Sequence, residues 1–146
     1  MFRTVLAVTA IAVGITAVAA QSDPIAQRKA IMKEVGSQTK TGGGMAKGEV
    51  PYDQAKAQAI FANYSDAAAK MPGLFPDSSK TGGETAALPA VWANKADFDA
   101  KFEKFGADAK AAASAAVKDV DSFKTAFSGT TKNCGGCHEN YRAKKN

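Results

Sequence analysis

The clearest pattern in the chain is a stripe of apolar and small residues in its last third, spaced for a helix. The stripe advances in alternating steps of four and three residues, at Phe98, Phe102, Phe105, Ala109, Ala112 and Ala116. Residues at these intervals lie on one face of an α-helix, so they predict an amphipathic helix that packs against a partner. After a break at Asp119 the same steps return, at Phe123, Phe127, Thr130, Cys134, Cys137 and Tyr141. The second stripe predicts a final helix whose packed face carries both cysteines.

The first half of the chain predicts two more helices, each with its own start signal. Asp23 and Pro24 supply a capping residue and a first-turn proline, and apolar residues then recur at helical intervals. The end of this helix stays open, because each of the three glycines at 42–44 would weaken a helix by about 1 kcal/mol relative to alanine. A further helix is predicted from about residues 51–53 to about Lys70.

These segments predict an all-α fold. No stretch alternates polar and β-branched residues with a period of two, so a sheet has no candidate strands. The segment from Met71 to Pro89 is rich in proline, glycine, serine and threonine and has no hydrophobic period, which predicts a long loop. Four amphipathic helices with mostly short connections favour an antiparallel four-helix bundle, whose interior is a usual place for a cofactor.

The first 20 residues predict a secretory signal and not a part of the fold. One positive charge at Arg3 precedes an apolar run over residues 5–18, which ends in small residues. The run is shorter than the roughly 20 residues that a membrane-spanning helix needs. We therefore expect residues 1–20 to be a signal peptide and residues 21–146 to form one domain in the periplasm, with no membrane span. An uncleaved N-terminal anchor is the alternative.

Composition narrows the class of protein. The chain has 146 residues, of which 45% are hydrophobic, with a formal net charge of +5, two cysteines and one histidine. This excludes collagen-like, disordered and disulfide-scaffold chains and fits a single domain. The positive charge is mild and the chain is expected to be exported, so nucleic acid is not a predicted partner.

The candidate chemistry lies in one pentapeptide, Cys134-Gly135-Gly136-Cys137-His138. Two cysteines separated by two residues and followed by histidine form the attachment signature of c-type haem. On a helix, positions i, i+3 and i+4 share a face, so two thiols can bond the vinyl groups while the imidazole reaches the iron. The motif therefore predicts one covalent haem c attached through Cys134 and Cys137, with His138 as an axial ligand.

Three other interpretations of the pentapeptide are weaker. A structural zinc site needs four ligands, and the chain has three cysteine and histidine residues in total. A thioredoxin-like dithiol requires a βαβ setting, which the helical pattern does not provide. A disulfide between Cys134 and Cys137 would close a very small loop and leave His138 without a role.

With this motif near the C-terminus of an exported helical chain, the sequence resembles the class II c-type cytochromes, which include cytochromes c′ and the cytochrome c-556 group. Supporting similarity covers the whole mature chain, at residues 27–33, 51–55, 74–76 and 88–92. The resemblance implies a left-handed four-helix bundle, with haem bound to the final helix through Cys134, Cys137 and His138. It also implies that the first helix lies over the other face of the haem.

The residue that decides the chemistry is Met32. By pattern alone, a methionine in an amphipathic helix is more often core than ligand. The resemblance places Met32 on the distal side of the haem, where c-556-type proteins have a methionine bound to iron and cytochromes c′ leave the iron five-coordinate. Methionine opposite histidine raises the reduction potential and suits an electron carrier, whereas an open face suits nitric oxide or carbon monoxide. We predict Met32 as the sixth ligand, and residue identity alone leaves both states open.

The resemblance gives Arg28 and Trp92 a role, and helical spacing gives one to Arg142. Arg28, one turn before Met32, is expected to pair with a haem propionate, and Trp92 to contact the haem edge. Arg142, four residues after His138, is expected near the proximal imidazole. Each also has a simpler interpretation, a solvated charge for the arginines and a core aromatic for the tryptophan.

The resulting hypothesis is a periplasmic electron carrier that serves redox partner proteins. The alternative is a module that binds small gases. An enzyme is disfavoured because the single histidine is already assigned to the iron. Family members occur as monomers and as dimers that pack through their first two helices, so a homodimer is compatible with the sequence.

Overall fold

Four long helices account for most of the protein in a computed structural model, which describes residues 23–115 and 117–144. They are α1 (Pro24–Lys47), α2 (Gln54–Lys70), α4 (Lys95–Ser114) and α5 (Val120–Tyr141), and a single turn, α3 (Ala90–Ala93), precedes α4. Two short 3₁₀ segments, Met71–Leu74 and Asp77–Ser79, lie in the predicted long loop. The predicted signal peptide at 1–20 and the stripe position Ala116 lie outside the described residues.

Three of the long helices begin at aspartate caps, the first of which, Asp23, the sequence predicted. The carboxylate of Asp23 accepts from the backbone N–H of Ile25 at 2.8 Å, and Asp119 accepts from that of Ser122 at 2.8 Å. Asp53 caps α2 in the same way. Such caps satisfy N–H groups that have no partner inside the helix, so each helix starts where its aspartate stands.

The helices form a ring in which each packs against its neighbours, in the order α1, α2, α4, α5 and back to α1. Short connections join α1 to α2 and α4 to α5, and α4 runs back along α2. The predicted antiparallel four-helix bundle is therefore confirmed. The described residues contain no strand, only an isolated bridge between Ala87 and Arg142. No helix in these ranges is long and apolar enough to cross a membrane.

The helix end that the sequence left open is resolved by packing. α1 continues through the three glycines to Lys47 and ends at Gly48, whose φ of 74° is in the left-handed region. Gly42 is buried, and a Cβ atom built on it would lie 2.3 Å from a ring carbon of Phe127. The glycine lets α1 and α5 approach, so this contact offsets the poor helix propensity of the run.

One end of the bundle, which we call the closed half, is filled by aromatic rings. Phe123 is fully buried, with ring centroids 5.8 Å from Tyr52, 5.9 Å from Phe61 and 5.2 Å from Phe127. Every stripe position of α4 in the described chain is buried as predicted, from Phe98 to Ala112. The closed half anchors the helices whose opposite ends surround the candidate site.

Candidate functional site

At the other end of the bundle, the cleft half, α1, α4 and α5 do not close against one another. They leave a cleft with about 970 Å³ of empty space, part of it open to solvent. Its walls come from the first half of α1, the start of α4 and the last turns of α5. Most of the lining is apolar, including Val35, Phe98, Phe102 and Phe105.

All three residues of the attachment motif line this cleft. Residues 134–138 are helical within α5, so the thiols of Cys134 and Cys137 and the imidazole of His138 face the same space. Both cysteines are free and half-buried, and burial raises the pKa of each thiol. At Gly135 and Gly136 an added Cβ would meet nothing within 4 Å, so these glycines do not serve a close contact within this chain.

His138 lies in the last turn of α5. Burial lowers its pKa, and the nearby charge of Arg142 lowers it further. The imidazole is therefore held neutral at ordinary pH, which is the state that binds a metal. Arg142 itself lines the cleft and donates its backbone N–H to the His138 carbonyl at 3.2 Å.

The cleft is lined from α1 by Arg28 and Met32, which lie one turn apart. Met32 is half-buried, and it reaches the cleft that His138 lines from α5. The sequence-predicted ligand pair thus faces one space from two neighbouring helices of the bundle.

Arg28 is only 5% exposed. Its guanidinium donates to the carbonyls of Leu74 and Ser79 and to the hydroxyls of Ser79 and Thr85. Burial lowers its pKa, while Asp23 opposes that shift. In the described ranges Arg28 makes no ion pair, so its predicted propionate contact stays a prediction.

Trp92 is the one predicted site residue that does not line the cleft. Its indole N–H donates to the carbonyl of Phe75 at 3.0 Å, and its ring packs edge-on against Phe75 at 6.0 Å. Phe75 and the neighbouring Val91 take the positions on the cleft wall. Trp92 is a partly buried aromatic in this structure, and its predicted haem contact stays a prediction.

Several lining residues were not predicted as site residues, among them Met71, Lys101 and Asn133. Nothing in the sequence around Met71 marked it as a site residue. Asn133 and Lys101 line the cleft although the first is polar and the second is charged. Lys101 and Asn133 had a usable signal, since each lies three residues after one stripe position and next to another. These positions are Phe98 and Phe102 for Lys101, and Thr130 and Cys134 for Asn133. The wall also includes Thr85, Ala86 and Ala87, whose loop has no periodic pattern to read.

This set of donors fits a covalently attached haem. Two free thiols, an imidazole and a thioether line one apolar cleft, which is the chemistry that a c-type haem requires. A zinc site fits less well, because the described chain has no group of three or more His, Cys, Asp or Glu residues that could hold a metal ion. The described chain also has no strand to support a thioredoxin-like dithiol.

Comparison with known proteins agrees with this geometry. The family model described as Cytochrome C′ matches residues 23–142. The chain is 50% identical over 126 residues to a cytochrome c′ of Rhodopseudomonas palustris, covering 86% of each chain. It is 38% identical over 149 residues to a cytochrome c-556 of the same organism, covering 99% of each. The solved structure of cytochrome c′ from Rhodopseudomonas palustris superimposes with a TM-score of 0.82 at 49% identity, over 86% of this chain and 100% of that one.

Proposed function

Because this chain belongs to the cytochrome c′ family, we propose that it is a periplasmic electron carrier whose iron is bound by His138 and Met32. As a member of this family, the chain carries one covalently bound haem c in a left-handed four-helix bundle. Cys134 and Cys137 are the proposed attachment points, because they lie at the motif spacing on the cleft. The haem supplies one-electron chemistry when bound.

The observation that carries the proposal is that Met32 and His138 line the same cleft from different helices. A thioether and a neutral imidazole are the ligand pair that raises a haem potential and leaves no open coordination position. Both side chains project from long helices anchored in the closed half, so neither proposed ligand lies on a loop.

The remaining lining residues would control the surroundings of the iron. The aromatic wall at Phe98, Phe102 and Phe105 would give a bound haem apolar surroundings. Arg28, Lys29, Lys101 and Arg142 also line it, and no Asp or Glu of the described chain does. This excess of positive charge favours anionic haem carboxylates inside the cleft and acidic surfaces of redox partners outside it.

A second candidate function is a five-coordinate cytochrome c′ that binds nitric oxide or carbon monoxide. The observation in its favour is that the 50% identical relative is named cytochrome c′, while the c-556 relative is 38% identical. In that case Met32 would pack over the haem without binding the iron. Under both functions the protein catalyses no reaction of its own, and a homodimer remains part of the proposal.

Two methionines line the cleft, and this provides a matched test. Met32→Leu removes the proposed ligand at similar volume, whereas Met71→Leu changes a methionine that is 3% exposed at the end of α2. We expect the parent protein and Met71→Leu to show a low-spin spectrum with a methionine–iron charge-transfer band. Met32→Leu should become high-spin and bind carbon monoxide in the ferrous state.

A parent spectrum that is already high-spin, and that Met32→Leu leaves unchanged, would establish the gas-binding alternative. Loss of the charge-transfer band in Met71→Leu with its retention in Met32→Leu would assign the ligand to the other methionine.

A further inference from the structure

The Arg28 side chain makes hydrogen bonds to a segment that is distant from it in sequence. Its Nη1 donates to the carbonyl of Leu74 at 3.0 Å and to the hydroxyl of Ser79 at 2.8 Å. Its Nη2 donates to the carbonyl of Ser79 at 3.0 Å and to the hydroxyl of Thr85 at 2.5 Å. The guanidinium carbon also lies 4.6 Å from the centre of the Phe75 ring. One buried side chain therefore holds three points of this segment, which we call the strap, residues 74–88.

The far end of the strap is fixed to α5. The carbonyl of Ala86 accepts from the N–H of Ala143 at 2.8 Å, and the N–H of Leu88 donates to the carbonyl of Tyr141 at 3.0 Å. Tyr141 is the last residue of α5, three positions after His138. The strap thus runs from the α1 turn before Met32 to the end of α5 that carries His138, and it forms part of the cleft wall between them.

The partners of Arg28 explain why this residue must be arginine. Within the described residues its terminal N–H groups meet neutral oxygens, and no carboxylate lies within ion-pair distance. Four donors in a planar fork can satisfy four acceptors at fixed angles, whereas a lysine ammonium has three donors and no plane to stack on Phe75. The contact depends on shape and donor number more than on charge.

We propose that Arg28 is a positioning residue that holds the strap and, through it, sets the separation between Met32 on α1 and His138 on α5. The inference deepens the proposed function, on which its second step rests. It differs from the predicted propionate contact, because it requires the strap acceptors and not the positive charge alone.

The test compares variants on both sides of the contact in the haem-loaded protein. Arg28→Lys keeps the charge and loses the fork. The double variant Ser79→Ala with Thr85→Val keeps Arg28 and removes two side-chain acceptors from the strap. Lys33→Ala is the control, since Lys33 is an exposed cation of the same helix that lines neither the cleft nor the strap.

Two readouts follow the two steps. Amide hydrogen exchange at Leu88 and Ala143 reports whether the strap is held. The low-spin fraction of the ferric protein reports whether Met32 stays in place. Arg28→Lys and the double variant should each speed exchange at both amides at least tenfold and lower the low-spin fraction, while Lys33→Ala should stay within twofold of the parent.

Several outcomes would overturn the proposal. Parent-like exchange in both the Arg28 and the double variant shows that Arg28 does not hold the strap. Faster exchange with an unchanged spectrum shows that the strap does not position the ligand. If Arg28→Lys matches the parent in both readouts while the double variant does not, the role of Arg28 is purely electrostatic.

The outcome also separates this inference from the proposed ligation. If the parent protein is high-spin, the Met32 ligation fails by itself, and the second readout becomes the carbon monoxide affinity of the ferrous protein. Arg28→Lys and the double variant should then change that affinity together, and an unchanged affinity in both would overturn the positioning role.

Discussion

The two halves of the bundle are built from the same four helices, yet one is filled and the other holds a cleft. In the closed half Phe123 meets three other aromatic rings and is fully buried. In the cleft half Phe102 belongs to an equally regular stripe, but its ring lines an open space. The stripes specify which face turns inward, and the volume of the facing side chains decides whether that face meets protein or leaves room for a bound group.

Removing an aromatic ring from either half should give the largest effects and tests the difference between the halves most directly. Phe123→Ala should lower the free energy of unfolding by about 3–5 kcal/mol, because it opens a cavity in a filled core. The haem spectrum should not change, since Phe123 does not line the cleft. Chemical denaturation and optical absorption of the haem-loaded protein check the two parts.

Phe102→Ala is the matched variant in the cleft half. It should cost less stability than Phe123→Ala and shift the haem spectrum, because its ring lines the site. Equal stability losses with equal spectra would remove the distinction between the halves.

Alkaline pH tests the polar contact between α1 and α2. The Tyr64 hydroxyl is hydrogen-bonded to Thr39 at 2.8 Å, and burial raises its pKa to about 12. A raised pKa means that the native state holds this proton more tightly than the unfolded chain, so the stability is fully present below pH 10 and is lost as pH rises towards 12. Two pKa units correspond to about 2–3 kcal/mol.

Tyr64→Phe should therefore cost about 1 kcal/mol at neutral pH through the lost hydrogen bond. The variant should also lose less stability than the parent between pH 10 and 12. Denaturation curves at both ends of this range check the difference, and parallel losses in the two proteins would contradict the assignment to Tyr64.

The glycine run of α1 sharpens the comparison inside the closed half. Gly42→Ala places a methyl group against the Phe127 ring, and overpacking of about 1–3 kcal/mol should exceed the ~1 kcal/mol gained in helix propensity. Gly43→Ala meets nothing within 4 Å and should stabilise the helix by up to about 1 kcal/mol. Thermal unfolding of both variants checks the opposite signs, and a stabilised Gly42→Ala would show that the close approach is not required.

The smallest expected effect concerns the start of α5, far from the cleft. Asp119→Ala removes the capping box with Ser122 and should lower the unfolding midpoint by a few degrees, whereas Asp119→Asn should retain most of the cap. Hydrogen bonding to the Ser122 N–H lowers the pKa of Asp119, so the advantage of the parent over the alanine variant should fade as pH falls through that lowered pKa. A difference that persists in strong acid would assign the effect to something other than the carboxylate.

Much of the site could be predicted from the sequence because the residues that carry its chemistry lie close together in the chain. Cys134, Cys137 and His138 lie within five residues of one helix, so their shared face follows from helical geometry alone. Arg28 and Met32 required the resemblance to a known family, since the side of the haem that a first helix covers is not written in its periodicity. The partners of Arg28 could not be predicted, because they lie 46 to 57 residues away in a loop without a pattern.

The sequence by itself determined the helices, the Asp23 cap, the inward faces and the haem attachment signature, because each depends on residues a few positions apart. Only the tertiary structure decided that α1 runs through three glycines, that Trp92 stands behind the cleft wall, and that Arg28 serves the strap. These outcomes depend on which distant side chains fill a given space, and local spacing carries no information about that.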